Sequence, residues 1–395
     1  MTHFRPSDEN ELVAIVQRAL ADDEPLELVA GGSKRGLGRP LQTPHVLDLG
    51  AFAGIRDYEP AELVLTAGAA TPLGEIEAAL DNAHQMLAFE PGDWRVLLGT
   101  KDKTPTLGGA LACNLAGPRR IRQGAARDHF LGFKAVSGRG EAFKAGGKVV
   151  KNVTGYDFCK LMAGSYGTLA ALTEVSVKVL PRPEATRTVV LTGLDATAAL
   201  AAMTQALNSA HELTGAAHLP AEVARAGRAM TLVRVEGPVP SVEARASALR
   251  REQAAFGDAE ILGDDASLAL WRDVRDLAPL AALSDAAIWR VSIAPSAAPA
   301  LIATLGRVFD LRYFLDWGGG LVWLAVPQAQ DAGAVAIRRA IGSGHASLMR
   351  ASDALRASVP VFQPQMRDVA ALSARVKDSF DPQRIFNRGR MVAEL

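Results

Sequence analysis

Three clusters of glycine and other small residues in the N-terminal half restrict this sequence more than any other feature. The first runs from Gly31 to Gly38, directly after a predicted strand, and it contains Lys34 and Arg35. Glycine allows positive φ angles and close approach of the backbone to a ligand, and successive N–H groups in such turns converge on an anion. The cluster matches neither the GxGxxG fingerprint nor the GxxxxGK[ST] phosphate loop.

Two further clusters follow along the chain. They comprise Thr106, Leu107, Gly108 and Gly109 with Asn114 and Gly117, and then Gly164, Ser165, Tyr166, Gly167, Thr168 and Leu169. Three tight loops of this kind could meet around one long ligand such as a dinucleotide. Ordinary turns between strands are the alternative, and the spacing alone does not identify the ligand.

The distribution of charge is uneven although the 395-residue chain is neutral overall, with 43 basic and 43 acidic residues. This balance gives no indication of nucleic-acid binding. Between Arg95 and Lys160, however, there are 13 Lys or Arg and four Asp or Glu, a local excess of nine positive charges. Such a block favours an anionic ligand or an acidic partner surface, and a solvated basic surface is the alternative.

The two cysteines, Cys113 and Cys159, are too few for a disulfide framework or for a four-thiolate iron–sulfur cluster. The histidines form no ligand-like spacing, so no metal site is predicted. The polar N-terminus does not resemble a secretory signal, and no uncharged apolar run approaches the ~20 residues that span a bilayer. We expect a cytoplasmic protein that reaches the inner face of a membrane only through partners.

The order of the predicted elements indicates an α+β protein with two domains and a tail. The predicted units are a two-lobed domain of residues 1–182, with lobes at 1–55 and 56–182, an α+β cap at 183–377 and a compact tail at 378–395. Ser7 or Asp8 is expected to cap a first helix with an apolar face that includes Leu12 and Val16. Alternating residues predict a strand over 173–180, and Pro181 and Pro183 end it.

Residues 1–180 resemble the FAD-binding domain of the vanillyl-alcohol-oxidase (PCMH-type) family. The resemblance is carried by the Gly31–Gly38 cluster, by the Pro105–Gly109 run with Asn114 and Gly117, and by Arg127-Asp128 followed by Leu131-Gly132. The run from Gly147 to Val175 resembles, more narrowly, the E subunits of glycolate oxidase complexes. So do Ile288-Trp289-Arg290, the segment 316–324, and the tail motifs 380–382 and 385–387.

This resemblance implies a fold in which an α+β cap follows the two-lobed domain, the tail returns to that domain, and FAD lies between domain and cap. The implied cofactor-binding residues are Gly31, Gly32, Ser33, Lys34, Arg35, Gly36, Leu37, Pro91, Thr106, Leu107, Gly108, Gly109, Asn114, Gly117, Arg127, Asp128, Gly164, Ser165, Thr168, Leu169, Val175 and Asn387. Some family members attach FAD through histidine or cysteine. Because the first loop has no histidine and the nearest in sequence is His45, we expect non-covalent FAD.

Oxidation of a 2-hydroxy acid also requires a cation for the carboxylate and a base for the hydroxyl proton. Arg290 and Arg350 are candidate carboxylate-binding residues, and His345 is a candidate base. A salt-bridged or surface role is the alternative for each, and no catalytic set is evident in the cap.

The resemblance therefore implies an FAD subunit that oxidises glycolate to glyoxylate within a complex. Its expected partners are a larger FAD subunit, an iron–sulfur subunit that receives electrons, and a small 2-hydroxy acid substrate. A self-sufficient FAD-dependent 2-hydroxy acid dehydrogenase and a flavin-free structural subunit are the alternatives.

Overall fold

The computed structural model describes residues 2–147 and 155–393. The part of the Gly147–Val175 run that falls at 148–154 lies outside the described residues, as do positions 1, 394 and 395. The N-terminal unit contains, in chain order, β1 (Thr2–Phe4), α1 (Glu9–Ala21), β2 (Leu26–Val29), β3 (His45–Asp48), β4 (Ile55–Glu59), β5 (Val64–Gly68), α2 (Leu73–Asn82), β6 (Gln85–Met86), α3 (Leu107–Ala112), α4 (Arg120–Gln123), α5 (Ala126–His129), β7 (Phe130–Ser137), β8 (Ala142–Gly146), α6 (Phe158–Met162), β9 (Ala170–Lys178) and β10 (Leu180–Pro181).

The first lobe is a small parallel sheet in the order β1-β3-β2, covered by α1. Asp8 caps this helix as predicted, because its carboxylate accepts a hydrogen bond of 2.9 Å from the Glu11 amide. Leu12 and Val16 on the inner face of α1 are fully buried in one cluster with Leu26 and Leu47 of the sheet. The second lobe is an antiparallel sheet in the order β4-β5-β9-β7-β8, and its last predicted strand, 173–180, is β9.

The second unit contains β11 (Ala185–Thr192), α7 (Ala196–Leu207), β12 (Gly215–Leu219), β13 (Met230–Gly237), α8 (Val239–Glu252), β14 (Ala259–Leu262), α9 (Asp264–Arg275), α10 (Ala278–Ala281), β15 (Ala286–Ser292), α11 (Ala298–Gly306), β16 (Arg312–Asp316), β17 (Leu321–Pro327), α12 (Ala334–Ile341), β18 (His345–Arg350), α13 (Asp353–Ser358) and α14 (Arg367–Phe380). Its strands form one antiparallel sheet in the order β14-β11-β13-β12-β16-β17-β15-β18. The mixture of helices and sheets confirms the predicted α+β class.

The two faces of the large sheet have different surroundings. Trp289 and Leu324 face one way, into a core that includes residues of α8, α11 and α12. Trp323 and Phe314 face the other way, into a core shared with Leu37 and Trp94 of the N-terminal unit. Because side chains alternate along a strand, Arg290, which is opposite Trp323 in the register, lies on the face that meets the N-terminal unit.

The C-terminal tail returns to the first lobe, as predicted. Phe386 forms a parallel bridge with Leu26 at the edge of β2, and the Leu26 amide donates to the Ile385 carbonyl at 2.7 Å. The last turn of α14 also packs on the second lobe through Phe380, which contacts Phe143 and Phe158. The predicted boundary at residue 377 therefore falls inside a continuous helix, and the domain limits stay predictions.

Candidate functional site

A cavity lies where the two lobes and the tail meet, and its empty space, together with the open solvent at its mouth, is about 890 Å³. Its wall is formed by five stretches of chain, namely Leu28 to Arg35 with Leu37 and Leu49, then Ala69 and Ala70, then Thr106, Gly108, Gly109, Ala112 and Cys113, then Ser165, Tyr166, Gly167, Ala170 and Leu172, and finally Asn387 and Arg390.

Half of the residues that the sequence assigns to the cofactor lie together on this wall. They are Gly31, Gly32, Ser33, Lys34, Arg35, Leu37, Thr106, Gly108, Gly109, Ser165 and Asn387. These residues come from all three glycine clusters and the tail. The cavity therefore brings together loops that are separated by more than 350 positions in the sequence.

The remaining predicted cofactor residues lie off the cavity wall. They are Gly36, Pro91, Leu107, Asn114, Gly117, Arg127, Asp128, Gly164, Thr168, Leu169 and Val175. Leu107 and Val175 are fully buried in the hydrophobic core of the second lobe. The Asp128 carboxylate caps α5 by accepting from the Ala125 amide at 2.9 Å. Pro91 lines a separate cleft between the two units. The packing of Leu107 and Val175 and the hydrogen bond of Asp128 are structural contacts, and the assignment of the other residues to the cofactor stays a prediction.

The glycine loop, residues 31–38, has a regular backbone arrangement. The Gly31 carbonyl accepts from the Thr104 amide at 3.0 Å, and the Ser33 carbonyl accepts from the Thr100 hydroxyl at 3.0 Å. The carbonyls of Arg35 and Leu37 both accept from the Arg390 guanidinium, at 2.9 and 3.1 Å. In the described part of the chain, the amides of residues 32, 34, 36 and 38 donate no hydrogen bond. Because C=O and N–H point in opposite directions across a trans peptide, the free amides are turned away from the groups that hold the carbonyls.

Two glycines make this arrangement possible. Gly32 and Gly38 have φ angles of +74° and +77°, a region that favours glycine. Gly31 lies so close to the neighbouring strand segment that a Cβ atom there would be 1.8 Å from the Thr104 carbonyl oxygen. Of the free amides, those of Gly32 and Lys34 belong to residues of the cavity wall, and unpaired amides at such a place are a suitable binding site for an anion.

Lys34 supplies a positive charge at the same place. Its ammonium group donates to the Ser33 hydroxyl at 3.2 Å, and among the described residues it forms no ion pair. Burial lowers its pKa, because a buried ammonium has lost its hydration. A bound anion would reverse this effect by stabilising the charged form.

The tail residue Asn387 connects two parts of the cavity wall. Its side-chain oxygen accepts from the Leu28 amide at 2.9 Å, and its side-chain nitrogen donates to the Tyr166 carbonyl at 2.8 Å. The Gly167 position is fitted to this contact, since a Cβ atom there would be 2.8 Å from the Asn387 amide nitrogen. Asn387 thus fixes the wall, and its polar atoms are occupied by the protein.

Sequence reasoning did not assign Tyr166, Cys113 or Arg390 to the site. Tyr166 lies inside the third glycine cluster, and Cys113 lies inside the second, so position within the clusters was an available signal for both. Arg390 is buried and bonds to Glu27 and to the glycine loop. Nothing in the local sequence indicates this contact, because it joins residues more than 350 positions apart.

Of the three candidate catalytic residues, Arg290 interacts electrostatically with a residue of the cavity wall, Tyr166. Its guanidinium carbon is 5.1 Å from the centroid of the Trp317 ring, and Arg120 lies over the same ring at 4.2 Å. Burial lowers the pKa of Arg290, and the Tyr166 hydroxyl on the cavity side partly opposes this shift. In the described part of the protein, the Arg290 side chain forms no hydrogen bond and no ion pair. The side chain is half-buried, and its donors are available.

The structure does not support the other two candidates. The Arg350 guanidinium donates to the backbone carbonyls of Leu97, Ala281, Leu283 and Ala286, which occupies its donors and gives it a structural role. His345 is exposed at the start of β18, an edge strand of the large sheet, and does not line the cavity. Both were selected from the sequence by residue type, which carries no information on these contacts.

Asp316 is a buried carboxyl group near Arg290 that sequence reasoning did not single out. It lies at the end of β16 and accepts from the Trp317 amide at 2.7 Å. Burial raises its pKa to about 7, although the Trp317 N–H and the charges of Arg234 and Arg290 oppose the shift. This carboxyl group is thus partly protonated near neutral pH.

A charged cluster joins the two units beside this region. Glu90 and Arg119 belong to the N-terminal unit, and Arg234 and Glu236 belong to β13. Arg119 lies 2.8 Å from Glu90 and 2.6 Å from Glu236, and Arg234 lies 3.1 Å from Glu90. Burial alone would raise the pKa of Glu236, but the two arginines lower it to about 2. The cluster is neutral as a whole, which is the arrangement that buried charges require.

Among residues 2–147 and 155–393, no three His, Cys, Asp or Glu side chains are grouped closely enough to share a metal ion. In the same residues no helix has both the length and the apolar character that crossing a bilayer requires. Burial raises the pKa of the Cys113 thiol on the cavity wall to about 11, so this group is not a reactive thiolate.

Comparison with known proteins identifies the fold and the family. Residues 3–146 match the family model for an FAD binding domain. The whole fold is similar to that of 4-ethylphenol oxidase from Gulosibacter chungangensis, with a TM-score of 0.72 at 14% identity over 99% of this chain and 89% of that one. The class is thus that of the PCMH-type FAD-linked oxidoreductases. The chain is also 36% identical over 387 residues to glycolate oxidase subunit GlcE of Escherichia coli, covering 97% of both proteins, and it belongs to that family.

A partial similarity extends to other oxidoreductases. The chain is 28% identical over 179 residues to the D-lactate dehydrogenase of Archaeoglobus fulgidus, covering 45% of this chain and 38% of that enzyme. FAD is the cofactor of the family. The cavity fits it, since the free amides of the glycine loop and the unpaired Lys34 suit a diphosphate, and the small residues elsewhere on the wall leave space for flat rings.

Proposed function

We propose that this chain is the FAD-holding subunit of a complex that oxidises glycolate to glyoxylate. The observation that carries the proposal is the cavity with its unpaired amides and lone ammonium, in a chain similar along almost its whole length to a glycolate oxidase subunit. Bound FAD would supply the two-electron acceptor for oxidation of the carbon that bears the hydroxyl group.

The residues of the cavity wall would divide the work of binding. The amides of Gly32 and Lys34 and the Lys34 ammonium would hold the diphosphate. Small residues such as Gly108 and Gly109 would let the rest of the cofactor approach the backbone. We further propose that the attachment is non-covalent, because no histidine is found among the described residues of the wall and the Cys113 thiol stays protonated at neutral pH.

We propose that the electrons then leave this chain for partner subunits, a larger flavoprotein and an iron–sulfur protein. The relatives named as glycolate oxidase subunits, GlcE of Escherichia coli and GlcD of Bacillus subtilis, support assembly into a complex. With only two cysteines, this chain cannot itself supply four thiolates to a cluster. In this role its own substrate chemistry would be secondary to electron transfer.

Arg290 favours a second candidate function, a self-sufficient FAD-dependent 2-hydroxy acid dehydrogenase. A half-buried guanidinium that pairs with no carboxylate of the described residues suits the carboxylate of a small acid, since paired N–H donors match two carboxylate oxygens. Here Arg290 would bind and orient the substrate. A flavin-free structural role has no comparable support, because the cavity and its anion site would then serve no ligand.

Anaerobic addition of glycolate to the purified chain separates these functions. We expect the isolated chain to show a flavin absorption spectrum that glycolate leaves unchanged, and to lose flavin absorbance only when its partners are present. Rapid bleaching of the isolated chain would instead establish the self-sufficient dehydrogenase. Bleaching should then be lost in Arg290→Met at unchanged flavin content. It should persist in the control Arg338→Met, whose guanidinium stacks on Trp289 at 5.2 Å on the opposite face of the sheet. Absence of flavin from both isolated and complexed chain would contradict both functions.

A further inference from the structure

Tyr166 is held in a backbone conformation that tyrosine rarely adopts. Its φ angle is +55°, in the left-handed region, which costs free energy for any residue with a Cβ atom. Its amide donates to the Ala112 carbonyl at 2.9 Å, and its carbonyl accepts from the Asn387 side chain at 2.8 Å. Gly164 and Gly167 in the same cluster have positive φ angles without this cost. A tyrosine at such a position is favourable only where its side chain makes contacts that offset the cost.

The Tyr166 side chain lies where the cavity meets the second unit. Tyr166 lines the cavity, and its ring packs against the core that the second unit shares with Leu37 and Trp94. The Phe362 ring, from the second unit, meets it edge to face with the ring centroids 5.0 Å apart. These contacts use only the ring, and phenylalanine would make them equally well. Packing therefore does not account for the hydroxyl group.

The Tyr166 hydroxyl has no hydrogen-bond partner in the described part of the chain. Its oxygen is not fully enclosed, unlike the unpaired hydroxyl oxygen of Thr173. Burial, and to a smaller extent the Cys113 thiol, raises the pKa of the Tyr166 hydroxyl, while the charges of Arg290 and Arg390 oppose the shift. The proton therefore stays on the oxygen at neutral pH, and this group can donate it to an acceptor.

Arg290 approaches the same place from the second unit. Its charge acts on the Tyr166 hydroxyl, and the hydroxyl acts in turn on Arg290. The guanidinium carbon lies 5.1 Å from the centroid of the Trp317 ring, which is fixed because its N–H donates to the Gly117 carbonyl at 3.1 Å. Among the described residues no carboxylate pairs with Arg290, and the nearby Asp316 accepts from the Trp317 amide instead. Two donors, one from each unit, are thus brought together without an acceptor for either.

The charge of this region is positive. Arg120 lies over the same Trp317 ring, with its guanidinium carbon 4.2 Å from the centroid, and it too forms no ion pair with a described residue. Burial lowers the pKa of Arg290, and the charge of Arg120 lowers it further. A bound anion would supply the counter-charge that these cations need. A carboxylate suits the place, since one of its oxygens can accept from a guanidinium and the other from a hydroxyl.

We propose that the Tyr166 hydroxyl donates a hydrogen bond to the carboxylate of a small 2-hydroxy acid that Arg290 also binds. The inference rests on the proposed function in taking such an acid as the ligand, and it adds a substrate-binding residue from the N-terminal unit. Because Tyr166 also lines the cavity, the contact would place the carboxylate beside the space for the cofactor. Binding of the acid would require the two units to be docked, since each contributes one donor.

The test uses the flavin-loaded full chain with Tyr166→Phe and a matched control. The control is Tyr313→Phe, since the Tyr313 hydroxyl also lacks a hydrogen bond to described residues, but its side chain packs against the core on the opposite face of the sheet. Titration calorimetry gives the dissociation constants of glycolate and of glycolamide, its uncharged analogue. The flavin is reduced beforehand, so that no oxidation of the ligand contributes heat. The absorption spectrum before reduction records the flavin content of each variant.

We expect Tyr166→Phe to weaken glycolate binding by about tenfold or more, because a hydrogen bond to a charged acceptor is lost. The loss for glycolamide, a neutral acceptor, should be smaller, and flavin content and the control should be unchanged. Unchanged glycolate affinity would overturn the inference. So would equal losses for the two ligands, which indicate a general disturbance, and so would loss of flavin, which indicates that the hydroxyl serves the cofactor.

A measurement on the wild-type chain decides the matter if Tyr166→Phe does not fold. The chain has four tyrosines, and ¹³C at their Cζ atoms gives one resonance for each. Glycolate should shift the Tyr166 resonance, which is assigned by replacing the other three tyrosines, and an unmoved resonance would contradict the contact. Wild-type chain that holds FAD but binds no glycolate would overturn this inference alone, whereas wild-type chain without FAD would contradict the proposed function itself.

Discussion

At the scale of single residues, Gly31 lies tightly against the backbone of Thr104 on the cavity wall. A Cβ atom on Gly31 would overlap the Thr104 carbonyl oxygen. The Gly31 carbonyl also accepts a hydrogen bond from the Thr104 amide, and this bond orients the first peptide of the glycine loop. The contact therefore leaves no space for any side chain other than hydrogen at this position.

We expect Gly31→Ala to lower FAD affinity at least about tenfold, because the loop must move away from Thr104 and its amides with it. The ratio of flavin to protein absorbance in the purified variant measures the loss. Gly74→Ala is the control, since a Cβ atom there would meet nothing within 4 Å. Equal flavin content in Gly31→Ala and wild type would contradict this account of the loop.

Asp316 makes a pH-dependent contribution to stability. Its pKa is raised by burial from 3.8 to about 7 in the folded chain, so the folded state binds one more proton than the unfolded state between these values. Stability must then fall as pH rises through this window. We expect the stability advantage of Asp316→Asn over wild type to grow by about 2–3 kcal/mol between pH 5 and pH 8. Urea unfolding at the two pH values measures this, and a difference that does not depend on pH would argue against an ionised, buried Asp316.

The residues that sequence could assign are those whose own type carries the signal. Gly31, Gly32 and Lys34 were predicted because glycine and a cation after a strand suggest an anion site without reference to any other segment. The hydrogen bonds of Arg356 and Arg390 to carbonyls of the glycine loop could not be predicted, since the sequence does not indicate which distant carbonyl a guanidinium contacts. For Arg350 the residue type was misleading. A positive charge suggested substrate binding, but the hydrogen bonds of the Arg350 guanidinium all go to backbone carbonyls.

At the scale of elements, α14 and the tail that follows it are fastened by one buried ion pair. The Lys377 ammonium donates to Asp381 at 2.6 Å, to the Thr168 carbonyl at 2.6 Å and to the Phe386 carbonyl at 3.1 Å. Asp381 accepts in turn from the amides of Ile385 and Phe386, each at 2.8 Å. The pair thus fixes the turn that brings the tail to the cavity.

Removing one member of this pair should be costly. We expect Asp381→Ala to lower the free energy of unfolding by about 3–5 kcal/mol, because Lys377 stays buried without its partner. Asp378→Ala on the exposed side of the same helix should cost less than about 1 kcal/mol. Guanidinium titration of both variants makes the comparison. Similar losses in the two would mean that the Lys377–Asp381 pair is not the fastening contact.

Elements with a regular pattern were predicted well, and their limits less so. The first helix and the strand at 173–180 follow from apolar periodicity and a capping residue, which are local properties. The predicted cap boundary at 377 falls within α14, because the change from helix to tail is set by the Lys377–Asp381 contact and not by a break in the pattern.

At the scale of the whole molecule, the charged cluster of Glu90, Arg119, Arg234 and Glu236 is the polar joint between the two units. Arg234 is 1% exposed in its side chain and contacts both glutamates. The Arg234 guanidinium carbon also lies 4.6 Å from the centroid of the Trp271 ring, and this contact adds packing to the same joint. The joint therefore combines ion pairing with close packing.

We expect Arg234→Met to lower the free energy of unfolding by about 3–5 kcal/mol, because two buried carboxylates then share one arginine. Arg225→Met, which removes an exposed ion pair with Asp273, is the control and should change stability by less than about 1 kcal/mol. Differential scanning calorimetry of both variants measures the effect. A wild-type melting temperature for Arg234→Met would show that the cluster does not hold the units together.

The arginine contacts of the glycine loop also have a consequence for biosynthesis. The ribosome makes the loop before Arg390, which contacts the loop from a separation of 355 residues. A nascent chain therefore exposes the loop before its contacts with Arg390 can form. Flavin loading should then follow synthesis of the tail.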